Sequence, residues 1–405
     1  MEANPSKQAP EPTATRQTLR IESPARLGAE GYLTAEVSAS AVQTNLGLLR
    51  RQLPAGTGLC AVVKANCYGH GQQQLLPLIA AGSDCLAVAT PEEALTLRKL
   101  GYEGPMLMFF SACAFADAHE LVGVLSELIA RRVTLTVAAD WEPGPIARAA
   151  EIVGRTAEVH LMIDTGMTRS GVRFEKVGPI LDEIARQKRI KLTGLYTHLA
   201  TADEADKGFA RRQLQRFGDT VAACGVDRAG LTLHAANSAA TIDLPEAHLD
   251  MVRPGIAIYG YSPSDQMHHR LGLVPALRLT ARLMQIKDVP AGQRCGYGQT
   301  YEFQRDSRVG LVPIGYGDGY IRCLSNRAAM QVCGKMAPVR GRISMDQTVI
   351  DLTEIPEARI GDSVEIISND PAGPNSVANL ARLAGTIPYE ITCLLGRRVR
   401  RRLVD

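Results

Sequence analysis

Lys64 is the first residue of this sequence whose type and position could support covalent chemistry. It ends the short apolar run Leu59–Lys64, and a run of this kind predicts a buried strand. Burial lowers the pKa of an amine, which makes it a nucleophile that can form a Schiff base with an aldehyde. A lysine that extends its charged end into solvent fits the same position, so position alone leaves both interpretations open.

Ser238 and Gly255 have the residue types of a phosphate-binding site. We expect Ser238 to be the N-cap of a helix, where its hydroxyl and the free backbone N–H groups would bind an anion. Gly255, which follows Arg253 and Pro254, permits close approach of the backbone to a ligand. Helix capping and a turn would explain each feature alone, but their coincidence with Lys64 favours an anion site.

His198 and Arg169 are further candidates, because each follows or ends an apolar run. A histidine at a strand end is a candidate base, although a hydrogen-bonded structural histidine is the more common case. Arg169 could bind a substrate carboxylate through two hydrogen bonds, or it could pair with an acidic loop residue. The segment Gly315–Gly319 is not followed by a helical pattern, which argues against a dinucleotide loop.

Alternating apolar runs and helical patterns in the first two-thirds of the chain would bring these candidates together. Strand and helix in repetition predict parallel strands, and eight repeats match a closed (β/α)8 TIM-like barrel, whose active site lies at the C-terminal strand ends. An open doubly wound sheet is the alternative, since periodicity does not show closure. The eight runs are Leu59–Lys64, Cys85–Thr90, Met106–Phe110, Thr134–Ala139, Glu158–Asp164, Leu192–Ala200, Thr232–Asn237 and Met251–Gly260.

The last third of the chain predicts a second domain. Leu279, Ala281 and Leu283 alternate with polar residues, as in a half-buried strand, and closely spaced turn signals follow. A helix over residues 42–53 should precede the barrel. We therefore predict an α/β fold with a disordered tail at residues 1–30, a barrel at 31–271 and a mostly antiparallel β domain at 272–405.

The composition excludes several classes of protein. The chain has 45 Lys and Arg against 42 Asp and Glu, a balance too even for a nucleic-acid or membrane-surface protein. No apolar run is long enough to span a membrane, and residues 1–30 lack the apolar core of a secretory signal. The nine scattered cysteines show no zinc spacing, so we expect no metal site and a reducing, cytoplasmic location. The basic run at residues 397–402 predicts a solvated terminal strand or tail.

Taken together, the motifs resemble those of the alanine racemase family. The stretch Val62–Gly71 resembles the pyridoxal-phosphate attachment motif, and other motifs follow in family order over residues 30–402. They are Thr197-His198, Ala202–Glu204, Ala236–Ala240, Arg253–Gly255, Tyr297-Gly298, Gly315–Gly319, Gly341–Ile343, Met345–Gln347 and Tyr389-Glu390. The resemblance implies a barrel with a β domain, pyridoxal 5'-phosphate as cofactor, and a homodimer with shared active sites that interconverts L- and D-alanine. D-Alanine of this origin would supply peptidoglycan synthesis.

The resemblance also implies a role for each site residue. Lys64 would hold the cofactor as a Schiff base and act as base on one face, and Tyr297 of the partner subunit would act on the other. Two such groups are what proton removal and return on opposite faces require. Arg253 would face the pyridine nitrogen, with His198 beside the ring. The implied phosphate-binding residues are Tyr68, Asn237, Ser238, Gly255, Ile256 and Tyr389, and the implied substrate-binding residues are Arg169, Tyr316 and Met345, the last two from the partner.

Met162 departs from the family pattern. Many members have a carbamylated lysine seven residues before the arginine that matches Arg169, and a thioether cannot carry that negative charge. We expect a bound anion such as chloride, or a neighbouring polar side chain, to hold Arg169. Asp346 is a poorer candidate, and contact of Arg169 with solvent is the alternative.

Two other functions are compatible with parts of this pattern. A racemase of broader range, acting on serine or basic amino acids, would share the fold and differ in pocket volume near Tyr316 and Met345. A non-enzymatic pyridoxal-phosphate carrier would share the barrel, but such carriers generally lack the C-terminal domain and its tyrosine. Decarboxylases of related fold place an acid, where this chain has Arg253, against the pyridine nitrogen.

Overall fold

A strand and a helix lead into the barrel in the computed structural model, which describes residues 31–111 and 120–405. Strand β1 (Leu33–Ser38) is followed by helix α1 (Ala39–Arg50), whose hydroxyl cap is Ser38. Val42, Leu46 and Leu49 are buried on one face of α1, as the apolar spacing predicted. The predicted tail at residues 1–30 lies outside the described residues.

Eight parallel strands form a closed ring, so the predicted barrel is confirmed and the open sheet is wrong. A parallel bridge between Leu107 and Thr134 joins the third strand of the ring to the fourth, and the Asp250 N–H donates to Leu233 O to join the last two strands. The final strand then pairs with the first, at Met251 and Gly58. The strands are β2 (Gly58–Val62), β3 (Cys85–Val88), β4 (Met106–Met108), β5 (Leu135–Val137), β6 (Ala157–Asp164), β8 (Ile190–Tyr196), β9 (Thr232–His234) and β10 (Met251–Val252), and the short β7 (Val172–Arg173) pairs with β6.

Helices follow the strands around the ring, and local sequence sets where they begin. Thr90 caps one of them by accepting from the Glu93 N–H while the Glu93 side chain returns to the cap, with Pro91 at the first helical position. The helices are α2 (Lys64–Tyr68), α3 (Gln72–Ala81), α4 (Pro91–Lys99), α5 (Glu120–Ala130), α6 (Pro143–Val153), α7 (Val177–Arg186), α8 (Gly208–Ala223) and α9 (Ser238–Asp243). No helix in the described ranges has the length and apolar character of a membrane span.

The C-terminal domain is built on antiparallel strands, as predicted. Its elements are β11 (Leu277–Arg282), β12 (Gln285–Val289), β13 (Arg294–Cys295), β14 (Tyr301–Glu302), β15 (Ser307–Val312), β16 (Ala329–Val332), β17 (Lys335–Pro338), β18 (Thr348–Asp351), β19 (Ser363–Ile367), α10 (Val377–Ala384), α11 (Pro388–Cys393) and β20 (Arg400–Val404). One sheet has the order β17-β16-β19-β11-β1-β20, a second has the order β12-β15-β18, and β13 pairs with β14.

The two ends of the described chain meet in the larger sheet. Strand β1 lies within the segment that we assigned to the barrel, yet it pairs antiparallel with β11 and parallel with β20. The basic run therefore ends in a strand, and Arg401 is not simply solvated. It donates hydrogen bonds to the carbonyls of Leu395, Gly396 and Val399, and a fourth to Gly69 O in the barrel.

Candidate active site

Lys64 lies just beyond strand β2, at the C-terminal end of the barrel. Its side chain is half-buried, and the pKa of its amine lies below the ordinary value, first because of burial and second because of the charge of Arg169. A larger fraction of this amine is therefore neutral at a given pH than for an exposed lysine. The nucleophile interpretation of Lys64 fits this environment better than the solvated one.

The turn that begins at Lys64 is left-handed. Ala65, Asn66, Cys67 and Tyr68 have φ values of 50°, 56°, 56° and 52°. A left-handed helical backbone costs about 1–2 kcal/mol for each residue with a side chain, so the surrounding structure has to hold the turn. Part of that support comes from Glu93 of α4, whose Oε1 accepts from the Ala65 N–H across 2.7 Å.

Tyr68, Ser238 and Gly255 lie close together. A Cβ atom on Gly255 would lie 2.2 Å from the Tyr68 hydroxyl, so only glycine leaves room for it. Ser238 Oγ accepts from the Gly255 N–H across 2.8 Å, and its own proton stays available. Burial raises the pKa of the Tyr68 hydroxyl, which keeps it a donor. The hydroxyls of Tyr68 and Ser238 are therefore two donors next to a glycine that leaves room for a ligand.

The structure places the cap of helix α9 one residue earlier than expected. Asn237 is the N-cap, since its Oδ1 accepts from the Ala240 N–H, and Ser238 is the first helical residue. Capping by Asn237 frees the Ser238 hydroxyl for Gly255. Ile256 is fully buried next to these residues, and the ring of Tyr389 lies 6.0 Å from that of Tyr68. The residues predicted to bind phosphate therefore lie near one another in the fold.

Arg253 is buried directly after strand β10. Its Nη2 donates to the carbonyls of Thr197 and Ala235 across 2.9 and 3.1 Å, and Nδ1 of His198 lies 3.5 Å away. Burial lowers the pKa of this guanidinium to about 10, which still leaves it charged at neutral pH. The pKa of His198 lies well below its ordinary value, because of burial first and then the charge of Arg253. His198 is therefore neutral beside a fixed cation.

His234 and His160 continue this network and were not among the predicted site residues. Nδ1 of His234 accepts from Arg253 Nη1 across 2.7 Å, and Nε2 of His234 lies 2.8 Å from Nδ1 of His160. The ring of Tyr196 stacks on His234, with centroids 4.7 Å apart. One feature of the sequence could have indicated them. Both histidines lie within otherwise apolar strands, and buried polar side chains require hydrogen-bond partners.

Arg169 is exposed beyond strand β6. It makes no hydrogen bond or ion pair with any residue in the described ranges, although its charge acts on Lys64 and His198. Met162 is buried in β6, as expected for a thioether in place of a charged lysine. Asp346 bonds to Arg398 across 2.7 Å, which leaves it less suited to hold Arg169.

Tyr297, Tyr316 and Met345 are all exposed on the C-terminal domain. Their exposed fractions are 70%, 43% and 54%, unusually high for large apolar side chains. The N–H of Gly317 donates to Met345 O, which ties the Tyr316 and Met345 loops together. Within the described chain, no hydrogen bond or ring contact joins Tyr297 to Lys64. The single chain therefore brings together the predicted cofactor residues, but it leaves these three residues facing outward.

Comparison with known proteins gives one consistent family. Two family models match, "Alanine racemase, N-terminal domain" at residues 37–263 and "Alanine racemase, C-terminal domain" at residues 276–403. The alanine racemase of Desulfovibrio desulfuricans is 39% identical over 376 residues, 92% of this chain and 98% of that protein. The alanine racemase of Methanococcus maripaludis is 37% identical, over 91% and 97% of the two chains.

Solved structures agree with the sequence relatives. The alanine racemase of the D-cycloserine producer Streptomyces lavendulae has a TM-score of 0.84 and 36% identity, covering 93% of this chain and 97% of that chain. The alanine racemase of Bacillus anthracis with bound L-Ala-P has a TM-score of 0.82 and 30% identity, covering 93% and 95%. With its barrel, its C-terminal domain and relatives along nearly its full length, the chain belongs to the alanine racemase family of isomerases.

Proposed function

We propose that this enzyme interconverts L- and D-alanine with pyridoxal 5'-phosphate held by Lys64, in a homodimer whose active sites use residues of both subunits. The observation that carries the proposal is the convergence at one barrel mouth of the Lys64 amine, the Ser238–Gly255–Tyr68 donors and the buried Arg253. In this proposal residues 31–271 bind the cofactor, and residues 272–405 supply the partner's groups.

The residues of the barrel mouth fit this cofactor in three respects. Its aldehyde needs an amine with a lowered pKa, which Lys64 provides. Its phosphate needs donors and a close backbone, which Tyr68, Ser238 and the side-chain-free Gly255 provide. Its ring nitrogen would face Arg253, and His198 would lie beside the ring. Asn237, Ile256 and Tyr389 complete the enclosure of the phosphate end.

The chain's own residues then account for racemisation. When bound, the cofactor withdraws electrons from the α-carbon of alanine and so acidifies the α-hydrogen. Lys64 takes or returns this proton on one face, and Tyr297 of the partner subunit does so on the other. Arg253 keeps its proton and its charge, so it does not fully protonate the ring nitrogen, and this limits transamination. Arg169 orients the substrate carboxylate.

The exposure of three side chains supports the proposal that each active site is shared between two subunits. Tyr297, Tyr316 and Met345 are exposed in the single chain, as side chains that complete a neighbour's pocket would be. In this proposal the partner's Tyr316 and the partner's Met345 bound the space for the substrate side chain. Alanine is the proposed substrate, and the D-alanine formed in the cytoplasm would supply peptidoglycan synthesis.

Stereochemical analysis of the product tests the proposal. Purified enzyme with pyridoxal 5'-phosphate should convert L-alanine to an equal mixture of enantiomers, and L-serine or L-lysine much more slowly. Borohydride reduction followed by peptide mapping should place the cofactor on Lys64. A label on another lysine would contradict the site, and preferential racemisation of serine or lysine would favour the racemase of broader range.

A further inference from the structure

His70 lies inside the fold and follows the left-handed turn by two residues. It is fully buried, and its ring stacks on Tyr259 with centroids 4.6 Å apart. Its Nδ1 lies 3.0 Å from the carbonyl oxygens of both Cys67 and Tyr68. These two residues are the last two non-glycine residues of the run with positive φ, which Gly69 follows with a φ of 85°. The imidazole therefore contacts the backbone where the strained segment ends.

The contacts fix the tautomer of His70. Both neighbours of Nδ1 are carbonyl oxygens, which only accept, so Nδ1 carries the proton and donates to them. Burial lowers the pKa of this ring to about 4, so the ring is neutral under ordinary conditions. Nε2 has no hydrogen-bond partner among residues 31–111 and 120–405. Within the described residues, the His70 side chain therefore makes its hydrogen bonds with Nδ1.

We propose that His70 is a positioning residue whose Nδ1–H holds the left-handed turn that aims Lys64 and Tyr68 into the site. The turn begins with the amine proposed to hold the cofactor and ends with the hydroxyl that touches the glycine of the phosphate site. If the Nδ1 donor is lost, the carbonyl oxygens of Cys67 and Tyr68 lose this hydrogen bond. The turn then relaxes toward more favourable backbone angles, and the side chains of Lys64 and Tyr68 no longer point into the site. The effect on cofactor binding rests on the proposed function of Lys64.

Other residues of the turn make hydrogen bonds that do not involve His70. Glu93 accepts from the Ala65 N–H, Asn66 Oδ1 accepts from the Gln72 N–H across 2.7 Å, and Arg401 donates to Gly69 O. A variant at His70 therefore removes one support while the others remain. We therefore expect a variant at His70 to displace the turn partially and measurably, without unfolding the protein.

Two isosteric variants separate the positioning role from packing. His70→Asn places an amide N–H₂ at the Nδ1 position and keeps the donor, whereas His70→Gln reaches the Nε2 position and loses it. Both lose the ring stacked on Tyr259, so both should lower the urea midpoint of the purified dimer alike. Only His70→Gln should speed amide hydrogen exchange in the peptide covering residues 61–71. It should also raise the Kd for pyridoxal 5'-phosphate about tenfold or more.

The outcomes decide between positioning and mere packing. The positioning role is supported if His70→Asn keeps both the Kd for pyridoxal 5'-phosphate and the amide exchange rate of residues 61–71 within about threefold of the unmodified enzyme, while His70→Gln raises both. Equal behaviour of the two variants, whether both normal or both impaired, overturns it. Amide hydrogen exchange measures the stability of the turn and does not depend on catalysis. Failure of the unmodified enzyme to attach the cofactor at Lys64 would contradict the proposed function alone.

Discussion

Arg253 donates a hydrogen bond from Nη1 to Nδ1 of His234 across 2.7 Å, and this direction of donation fixes the protons of three buried side chains. A guanidinium has no acceptor, so Nδ1 of His234 must be unprotonated and its Nε2 must carry hydrogen. That hydrogen is donated to Nδ1 of His160. Both histidines are therefore neutral, and the positive charge of the network stays on Arg253, where the ring nitrogen of the proposed cofactor would meet it.

The neutral histidines predict a loss of stability in mild acid. Burial lowers the pKa of His160 and of His70 from 6.5 to about 4, so the unfolded chain binds more protons between these values. The stability they contribute is complete above about pH 6.5 and falls as the pH drops toward 4, by up to about 1.4 kcal/mol per pH unit for each histidine. Urea unfolding as a function of pH measures it. His160→Gln should reduce the slope, whereas the exposed His268→Gln should not, and equal slopes would contradict the assignment.

Arg253→Glu should change the reaction specificity. A carboxyl group can share a proton with the ring nitrogen, which strengthens electron withdrawal, and the charge beside His198 is lost. Racemisation should fall while transamination, measured as pyruvate formed from alanine, should rise. Arg253→Lys is the control, because it keeps the charge and should slow racemisation without raising transamination. An unchanged ratio of the two reactions in Arg253→Glu would count against Arg253 facing the ring.

Lys64→Ala and Tyr297→Phe chains should complement each other when they are refolded together. Each variant alone should be nearly inactive, since each of its sites lacks one base. In a mixed dimer one site lacks both bases and the other keeps both, so random mixing leaves about a quarter of all sites intact. The activity of the mixture measures this fraction. No recovery after proven subunit exchange would show that the two residues do not share a site.

Met162 predicts that an anion replaces the missing carbamate beside Arg169. An arginine at a partly enclosed mouth is oriented best by an anionic or hydrogen-bonding partner, and no described residue of its own chain serves. Exchange of chloride for a bulky inert anion should raise KM for alanine. Met162→Lys should then make activity depend on bicarbonate, and Met162→Leu should not. A KM that does not respond to chloride, with a crystal structure that shows no anion near Arg169, would leave solvent as its partner.

Gly69→Ala should destabilise the enzyme far more than a second glycine substitution at a similar backbone angle. Gly69 and Gly101 have φ values of 85° and 91°, but a Cβ on Gly69 would lie 1.9 Å from Thr392 O, whereas nothing lies within 4 Å at Gly101. The strain alone predicts about 1–2 kcal/mol for Gly101→Ala. The added clash predicts at least about 3 kcal/mol for Gly69→Ala. Urea unfolding compares the two, and similar losses would show that the turn moves away from Thr392 easily.

The alternation of short, mostly apolar runs with helical patterns was sufficient to predict the barrel. It was insufficient for β1, although Leu33, Ala35 and Val37 alternate correctly, because the partners of that strand lie hundreds of residues away. The left-handed turn was also missed, since Ala65 and Cys67 prefer right-handed angles and only distant contacts hold them otherwise. The Arg253–His234–His160 network required knowledge of which strands neighbour one another.

The site residues illustrate the same limit. Family motifs were enough to propose Lys64, Ser238 and Arg253, and the structure brings their elements to one barrel mouth. The cap of helix α9 moved to Asn237, because an asparagine and a serine are equally good N-caps and sequence does not choose between them. The outward orientation of Tyr297 is not encoded in local sequence, since the exposure of a side chain is known only once the fold is formed.

The bond from Arg401 to Gly69 has a consequence for the order in which the protein folds. The two residues are 332 positions apart in the sequence, and closing so long a loop costs more conformational entropy than forming contacts between neighbouring barrel strands. We therefore expect the pairing of β1 with β20, and the support that Arg401 gives to the Lys64 turn, to form after the barrel strands have paired. A chain in which only the barrel has folded lacks this support, so the turn that carries Lys64 is complete only once the distant strand β20 has joined the sheet.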